Sequence, residues 1–352
     1  MHRQTPATPG RMAGSSLIEL MIAITLGLIV LAGLGTLFAN QSASRAEMER
    51  NSRQIENGRF AMELLSDDLR MAGFYGELNI KPINFPVPAA LVDPCSFTQA
   101  DWVSAIAHHI QGYDNGASAP SCVPADLTAN TDILVVRRVS TCEADTAGCD
   151  ASANAKPYIQ VARCSAEVAV AANAYELGLK GTAGFARTQR DCATKASLRQ
   201  YIVRIYYISD NNGAATPLAI PTLKRLDFNA ATNAWVQTPL VEGIEQLQLE
   251  YGIDTDGDGD PDVYAADPST VTIAGCATCT SVNNWSNVIT VRIHLLARNI
   301  DPSPNYTDPK TYTLGLDKTG TAIAVTPADA YRRHAYAGLV RIINPAERRD
   351  TP

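Results

Sequence analysis

The sequence predicts an α+β chain: one long N-terminal helix, membrane-spanning in its first part and amphipathic in its second, packed on an antiparallel β-sheet head with disulfide-tied loop insertions. Three observations carry this. An uncharged apolar run from Leu20 to Ala39 passes into a stripe of apolar residues at helical spacing. Past the helix come short β-branched and aromatic runs, several in strict alternation. Eight cysteines all lie beyond the apolar run, an even number that suits an oxidising compartment.

The apolar run is long enough as a helix to cover about 30 Å, the hydrocarbon thickness of a bilayer. His2, Arg3 and Arg11 precede it and place the positive flank on the cytoplasmic side. A cleavable secretory signal has a shorter core and a small-residue cut site beyond it, so it does not fit. Glu19, preceded by Leu17 and Ile18, is a carboxylate inside one end of the segment, where an ionisable group is costly and functional by default.

The string Gly14-Ser15-Ser16-Leu17-Ile18-Glu19-Leu20 resembles the processing site of type IV prepilins. The resemblance implies that a prepilin peptidase cuts between Gly14 and Ser15 on the cytoplasmic side, that the new terminus is N-methylated, and that Glu19 is the fifth residue of the mature chain. Family members usually begin that chain with phenylalanine; this one begins with Ser15. A buried carboxylate needs a partner, and the new amine of a neighbouring, staggered subunit supplies one, so Glu19 is expected to set charge registry in assembly. The implied domains are a leader (1–14), a transmembrane and stalk helix (15–72) and a β-rich head (73–352).

Along the second part of the helix Met48, Ile55, Met62 and Leu69 recur every seven residues, with Leu65 and Ala72 beside them, and this stripe is expected to pack under the head. Gly73 and Gly76 mark the end. Residues 77–130 are proline-rich and read as irregular. Strands are expected at Ile133–Val136, Tyr158–Val161, Tyr201–Ile208, Leu223–Phe228, Ile244–Tyr251, Val288–Leu296 and Leu339–Ile343. In Leu247–Tyr251 and Ile289–Leu295 the alternation gives one buried and one wet face. Residues 140–155 and 164–196 read as disulfide-tied loops. Nearest-neighbour pairing joins Cys95 to Cys122, Cys142 to Cys149, Cys164 to Cys192 and Cys276 to Cys279; it is the simplest of many connectivities, and the sequence does not choose. No second close pair completes a zinc site with Cys276-Ala-Thr-Cys279, so a loop-closing disulfide is expected there.

Further strings are similar to those of one branch of the prepilins, the large minor pilins of the PilW family. They are Gly58-Arg59-Phe60-Ala61, Leu69-Arg70-Met71-Ala72-Gly73-Phe74-Tyr75-Gly76, Tyr251-Gly252-Ile253-Asp254, Val291-Arg292-Ile293-His294-Leu295-Leu296-Ala297-Arg298 and Arg332-Arg333-His334-Ala335-Tyr336. The resemblance implies a low-copy, non-enzymatic subunit, anchored by one span in the inner membrane with its head in the periplasm. It would be built into the extracellular pilus at or near the tip, where it helps prime assembly. Its partners would be the prepilin peptidase, other minor pilins, the major pilin and a tip adhesin. A type II secretion pseudopilin of the J type is the alternative machine. A membrane-anchored, calcium-dependent hydrolase is the alternative class.

Asp254, Asp256, Asp258, Asp260 and Asp262 alternate through a segment that matches the start of a calcium loop. Counted from Asp254, the oxygens fall at the first, third, fifth, seventh (a backbone carbonyl) and ninth positions, with Gly259 at the sixth for the sharp turn. Hard carboxylate oxygens suit Ca²⁺. The twelfth position is Ala265 rather than glutamate, so another acid such as Asp267 would have to complete the set. Catalysis finds no support: His108 and His109 are adjacent, and no nucleophile elbow, phosphate loop or His-Glu-x-x-His motif is present. His108, His109 and His294 read as ordinary surface or packing residues. A net charge of −7 argues against a nucleic-acid partner.

Overall fold

The structure, a computed structural model, describes residues 14, 16–78, 88–116, 118–214, 218–229, 232, 234–272 and 280–347. Ser15, Cys276 and Cys279 lie outside the described residues, as does the leader before Gly14. The chain divides into two compact units, residues 1–50 and 51–352. Helix α1 (Leu17–Arg70) contributes to both. Among the described residues of the first unit, the apolar side chains from Leu17 to Phe38 are exposed throughout.

In the second unit α1 is followed by α2 (Gln99–Ala105), β1 (Ile110–Tyr113), β2 (Ile133–Val139), β3 (Pro157–Val161), β4 (Tyr175–Leu179), β5 (Leu198–Ser209), β6 (Thr222–Asn229) and β7 (Ala234–Glu242). Then come β8 (Ile244–Ile253), β9 (Val263–Ala265), β10 (Val288–Arg298), β11 (Tyr312–Leu316), β12 (Ala322–Val325) and β13 (Arg333–Arg341). All strand pairs are antiparallel. A seven-stranded sheet runs β1-β2-β5-β3-β4 with β6 attached to β5 and β7 to β6; a four-stranded sheet runs β13-β10-β8-β9; β11 and β12 form a hairpin.

Period-two alternation divides each central strand between two cores. Leu134 and Val136 of β2, with Tyr206 and Ile208 of β5, face a core shared with Ala61, Leu65 and Leu69 of α1 and with Leu247, Leu249, Val291 and Ile293 of the second sheet. Ile133, Val135, Ile205 and Tyr207 face the other way, under a segment tied by the Cys95–Cys122 disulfide. With both faces covered, these strands read as continuous apolar runs. Asp132 joins the sheets: its N–H donates to the Leu247 carbonyl at 2.9 Å, and its Oδ2 accepts the Leu249 N–H at 2.7 Å.

The helix buries the later part of the expected stripe, with Leu65, Leu69 and Ala72 fully buried and Met62 packed against the core, but not its start. Gln54, Gly58, Ala61, Leu65, Asp68 and Leu69 are buried, whereas Met48 and Ile55 are 62% and 46% exposed. The cause is polar anchoring. Gln54 Nε2 donates to the carbonyls of Ala297 (2.7 Å) and Arg332 (3.0 Å). Asp68 Oδ1 accepts from Arg138 Nε and Arg204 Nη1, each at 2.8 Å, and its Oδ2 accepts from Tyr206 Oη at 2.8 Å. Gly58 gives the Tyr336 ring its place, and Tyr336 Oη donates to the Ile55 carbonyl at 3.2 Å. These bonds fix the rotation of the helix against the sheets, with Gln54 rather than Ile55 turned inward. Its end is closed by Gly73 at φ +70, a left-handed residue after the last turn.

Other expectations change as well. The segment read as irregular contains α2, capped by Thr98, and strand β1, buried over Ile110 and Gln111. The loop over 164–196 contains β4, which pairs with β3. The last strand is not Leu339–Ile343 but β13, and a short helix begins at Ile343. Arg333, at the start of β13, is buried in a cluster with Glu245 (2.5 Å), Asp329 (2.6 Å) and Asp308 (3.6 Å), so charge hid the strand. His108 and His109 are buried; a ring nitrogen of His109 lies 2.7 Å from the Val288 carbonyl. Three disulfides are described: Cys95–Cys122, Cys142–Cys149 and Cys164–Cys192.

Candidate assembly segment and acidic loop

Helix α1 is long and apolar enough to cross a membrane, and none of its most apolar window is buried. Its apolar side chains therefore offer a continuous surface that water disfavours, which fits a membrane anchor. Near its start, Glu19 Oε2 accepts the Ser16 N–H at 3.3 Å and Ser16 Oγ accepts the Ile18 N–H at 3.3 Å, so both side chains serve backbone donors of the first turn. Gly14, Ser16 and Glu19 follow one another at the same end; Ser15 lies outside the described residues.

The acidic segment is the connection of the β8–β9 hairpin. Ile253 pairs with Val263, the Asp262 N–H donates to the Ile253 carbonyl at 2.9 Å, and the Asp254 N–H donates to the Asn287 carbonyl at 3.0 Å. Gly257 and Gly259, at φ +86 and +91, turn the chain back on itself. One carboxylate oxygen each from Asp254, Asp256 and Asp262 then lies within 4.8 Å of the others. Asp254 is buried and organises the turn: Oδ1 accepts the Gly257 N–H at 2.6 Å, and Oδ2 accepts the Gly259 N–H at 3.1 Å. Asp256 Oδ1 accepts the Asp258 N–H (3.2 Å), and Asp258 Oδ1 accepts the Asp260 N–H (2.9 Å).

Thr255 fixes Asp262 by donating both its N–H (2.7 Å) and its hydroxyl (2.6 Å) to Oδ2. These bonds hold the Asp262 carboxyl below the ordinary carboxylate range. The sequence pattern did not single out Thr255, because its role depends on the hairpin closing around it. Asp254, Asp256 and Asp262 are thus brought together, while Asp258 and Asp260 stand along the turn with Asp258 serving a backbone donor. Three clustered carboxylates with hard oxygens are a donor set that a divalent cation of the calcium class fits.

Residues 205–344 match the family model of PilW, described as Type IV Pilus-assembly protein W. Over those residues the chain is similar to the PilW family. The match runs from the middle of β5 through β13 and so takes in the whole second sheet and the acidic loop. The match supports a pilus-related structural subunit. Among solved structures, a type IV-like pilin from Thermus thermophilus aligns over 84% of this chain and 98% of its own at 10% identity and a TM-score of 0.36. No curated protein matches the chain.

Proposed function

We propose that this chain is a minor pilin: made as a prepilin, cut between Gly14 and Ser15, held in the inner membrane by α1 with its head in the periplasm, and assembled at or near the tip of an extracellular type IV pilus. The observation that carries the reading is the PilW match over residues 205–344. The exposed apolar face of α1 supports it, as does a carboxylate placed where the hydrocarbon would begin. The mechanism is assembly rather than turnover. The span supplies apolar packing, Glu19 pairs with the amine of a neighbouring subunit, and the head selects other minor pilins, the major pilin and a tip adhesin. The test is the intact mass and N-terminus of the protein from cells with and without the prepilin peptidase. Loss of residues 1–14 only where the peptidase is present is the expected result; an uncut chain in both strains sinks the reading.

The acidic loop is proposed to take Ca²⁺ on Asp254, Asp256 and Asp262, with the turn held by Gly257 and Gly259. A cation bound by the folded chain alone stabilises it by about 2.7 kcal/mol at a hundred times its dissociation constant. Calorimetry of the chain in detergent should therefore show a melting temperature that rises with calcium and falls with a chelator. No change over millimolar calcium would remove the cation from the account.

A further inference from the structure

Lys224, on β6, is fully buried, and nothing described above uses it. Its Nζ donates to Asp126 Oδ2 at 2.8 Å and to Asn211 Oδ1 at 2.9 Å. The β5–β6 ladder ends at Ser209 opposite Thr222, which brings Asn211 and Lys224 to the same end of the hairpin. Asp126 arrives from the segment before β2, held by the Asp210 N–H on its carbonyl (2.9 Å) and by Ser209 Oγ on Oδ2 (2.9 Å).

The orientation of the Asn211 amide is fixed by its neighbours. Its Oδ1 receives two donors, Lys224 Nζ and the Gly213 N–H, the latter at 2.9 Å. Its Nδ2 faces two carboxylates, Asp210 Oδ1 at 2.8 Å and Asp126 Oδ2 at 3.3 Å. Gly213 sits at φ +68, and a Cβ there would stand 3.3 Å from Lys224 Nζ, so the close approach of backbone to amine suits glycine. An amine thus touches an amide whose carbonyl oxygen is polarised by a backbone N–H, and one carboxylate oxygen touches both the amine and the amide's leaving nitrogen. These are the parts of an acyl transfer: nucleophile, oxyanion donor and proton carrier.

We propose that Lys224 and Asn211 join in an intramolecular isopeptide bond, with Asp126 as the proton carrier. The Lys224 ammonium passes a proton to Asp126 Oδ2, and the neutral Nζ attacks Asn211 Cγ. The resulting oxyanion on Oδ1 is held by the Gly213 N–H. Asp126 then returns the proton to Nδ2, the Cγ–Nδ2 bond breaks, and ammonia leaves, taking up the remaining proton of the former ammonium as it departs as ammonium ion. One C–N bond forms and one breaks, and no oxidant or cofactor enters. Burial pushes the Asp126 carboxyl up, but hydrogen bonds from Lys224, Gln237 and Ser209 outweigh it and hold it below its ordinary value. The carboxylate is therefore present to accept the first proton but is a weak base, which makes this a slow event that happens once per molecule. The product closes the chain from 211 to 224 into a covalent ring at the end of the β5–β6 hairpin.

The test is peptide mapping of the full chain, purified in detergent, denatured, reduced and digested with trypsin. The cross-link predicts a 205–225 peptide lighter by one ammonia, uncut after Lys224, and giving no backbone fragments between Asn211 and Lys224. It should be absent from Lys224→Arg, and absent from Asp126→Asn preparations that melt cooperatively. A wild-type peptide ending at an unmodified Lys224 overturns the proposal. So does ammonia loss with cleavage still occurring after Lys224, which is a succinimide at Asn212-Gly213. Loss of water in a link between Lys224 and Asp126 overturns the choice of Asn211, and a cross-link that persists in Asp126→Asn overturns the proton carrier.

Discussion

Two stretches of α1 follow opposite rules. From Leu17 to Phe38 the helix exposes its apolar side chains, Ile24 and Leu31 among them. Between Gln54 and Leu69 it buries polar ones: an amide that holds two carbonyls and a carboxylate that holds two guanidinium groups and a phenol. Apolar attraction is non-directional, so the first stretch can meet any apolar surroundings in many rotations. A hydrogen bond has one partner and one geometry, so the second stretch has a single rotation and register against its sheet. The difference separates adhesion from specification within one helix.

The comparison is broken most severely at Asp68. Asp68→Ala leaves Arg138 and Arg204 without their shared acceptor in a largely buried site, and is expected to cost about 3–5 kcal/mol in urea unfolding of the chain in detergent. Leu31→Ala, in the exposed stretch, should leave the same transition unmoved. A loss below about 1 kcal/mol for Asp68→Ala would return the specifying role to the apolar contacts.

The next effect comes from the join between the sheets. Burial, with Asp114 adding to it, pushes the Asp132 carboxyl up to about 8, while burial, with Arg137 and His109 adding to it, pulls the His108 imidazole down to about 3. Their unfolded values are about 3.9 and 6.5. Between about pH 3.9 and 8 the folded chain keeps a proton on Asp132 that the unfolded chain has released, so stability falls as pH rises. Between about pH 3 and 6.5 the unfolded chain holds a proton on His108 that the folded chain lacks, so stability rises with pH. The two slopes cancel from about pH 4 to 6.5, leaving a fall of about 2 kcal/mol from pH 6.5 to 8. Asp132→Asn, which stands in for the protonated acid, should abolish that alkaline limb and uncover the His108 rise, which then runs on to about pH 6.5; melting at stepped pH checks it.

The smallest effect sharpens the comparison at Gly58. Glycine to alanine in a helix normally stabilises by about 1 kcal/mol. Here the new methyl would overlap the Tyr336 ring, so Gly58→Ala should instead destabilise by about 1–2 kcal/mol. Combined with Tyr336→Ala the two losses should fall short of their sum, measured as a double-mutant cycle. Strict additivity would mean that the ring moves aside freely.

What could be read in advance follows the same division. β2, β5, β8 and β10 announce themselves because their burial is apolar and their period is two. β7 does not: it carries Pro239 and is attached only to β6. β13 was displaced by several residues because Arg333 enters the interior as a charge with acidic partners. The helix stripe was legible from Met62 to Ala72 but not at its start, and its polar members were missed because Gln54 and Asp68 count as solvent-facing until their partners, Ala297, Arg332, Arg138, Arg204 and Tyr206, are brought from far along the chain. In the acidic loop the alternating aspartates were legible, since they form a local motif. That Thr255 would lock Asp262 was not, because it requires the closed hairpin.

The three described disulfides each join a cysteine to the next one along the chain. If the head passes into an oxidising space from its membrane-proximal end, these thiols appear there as successive pairs. No thiol has to wait past an unrelated neighbour for its partner to appear. Over this part of the chain an oxidase acting in order of appearance makes the native set, with no isomerase to undo a wrong choice.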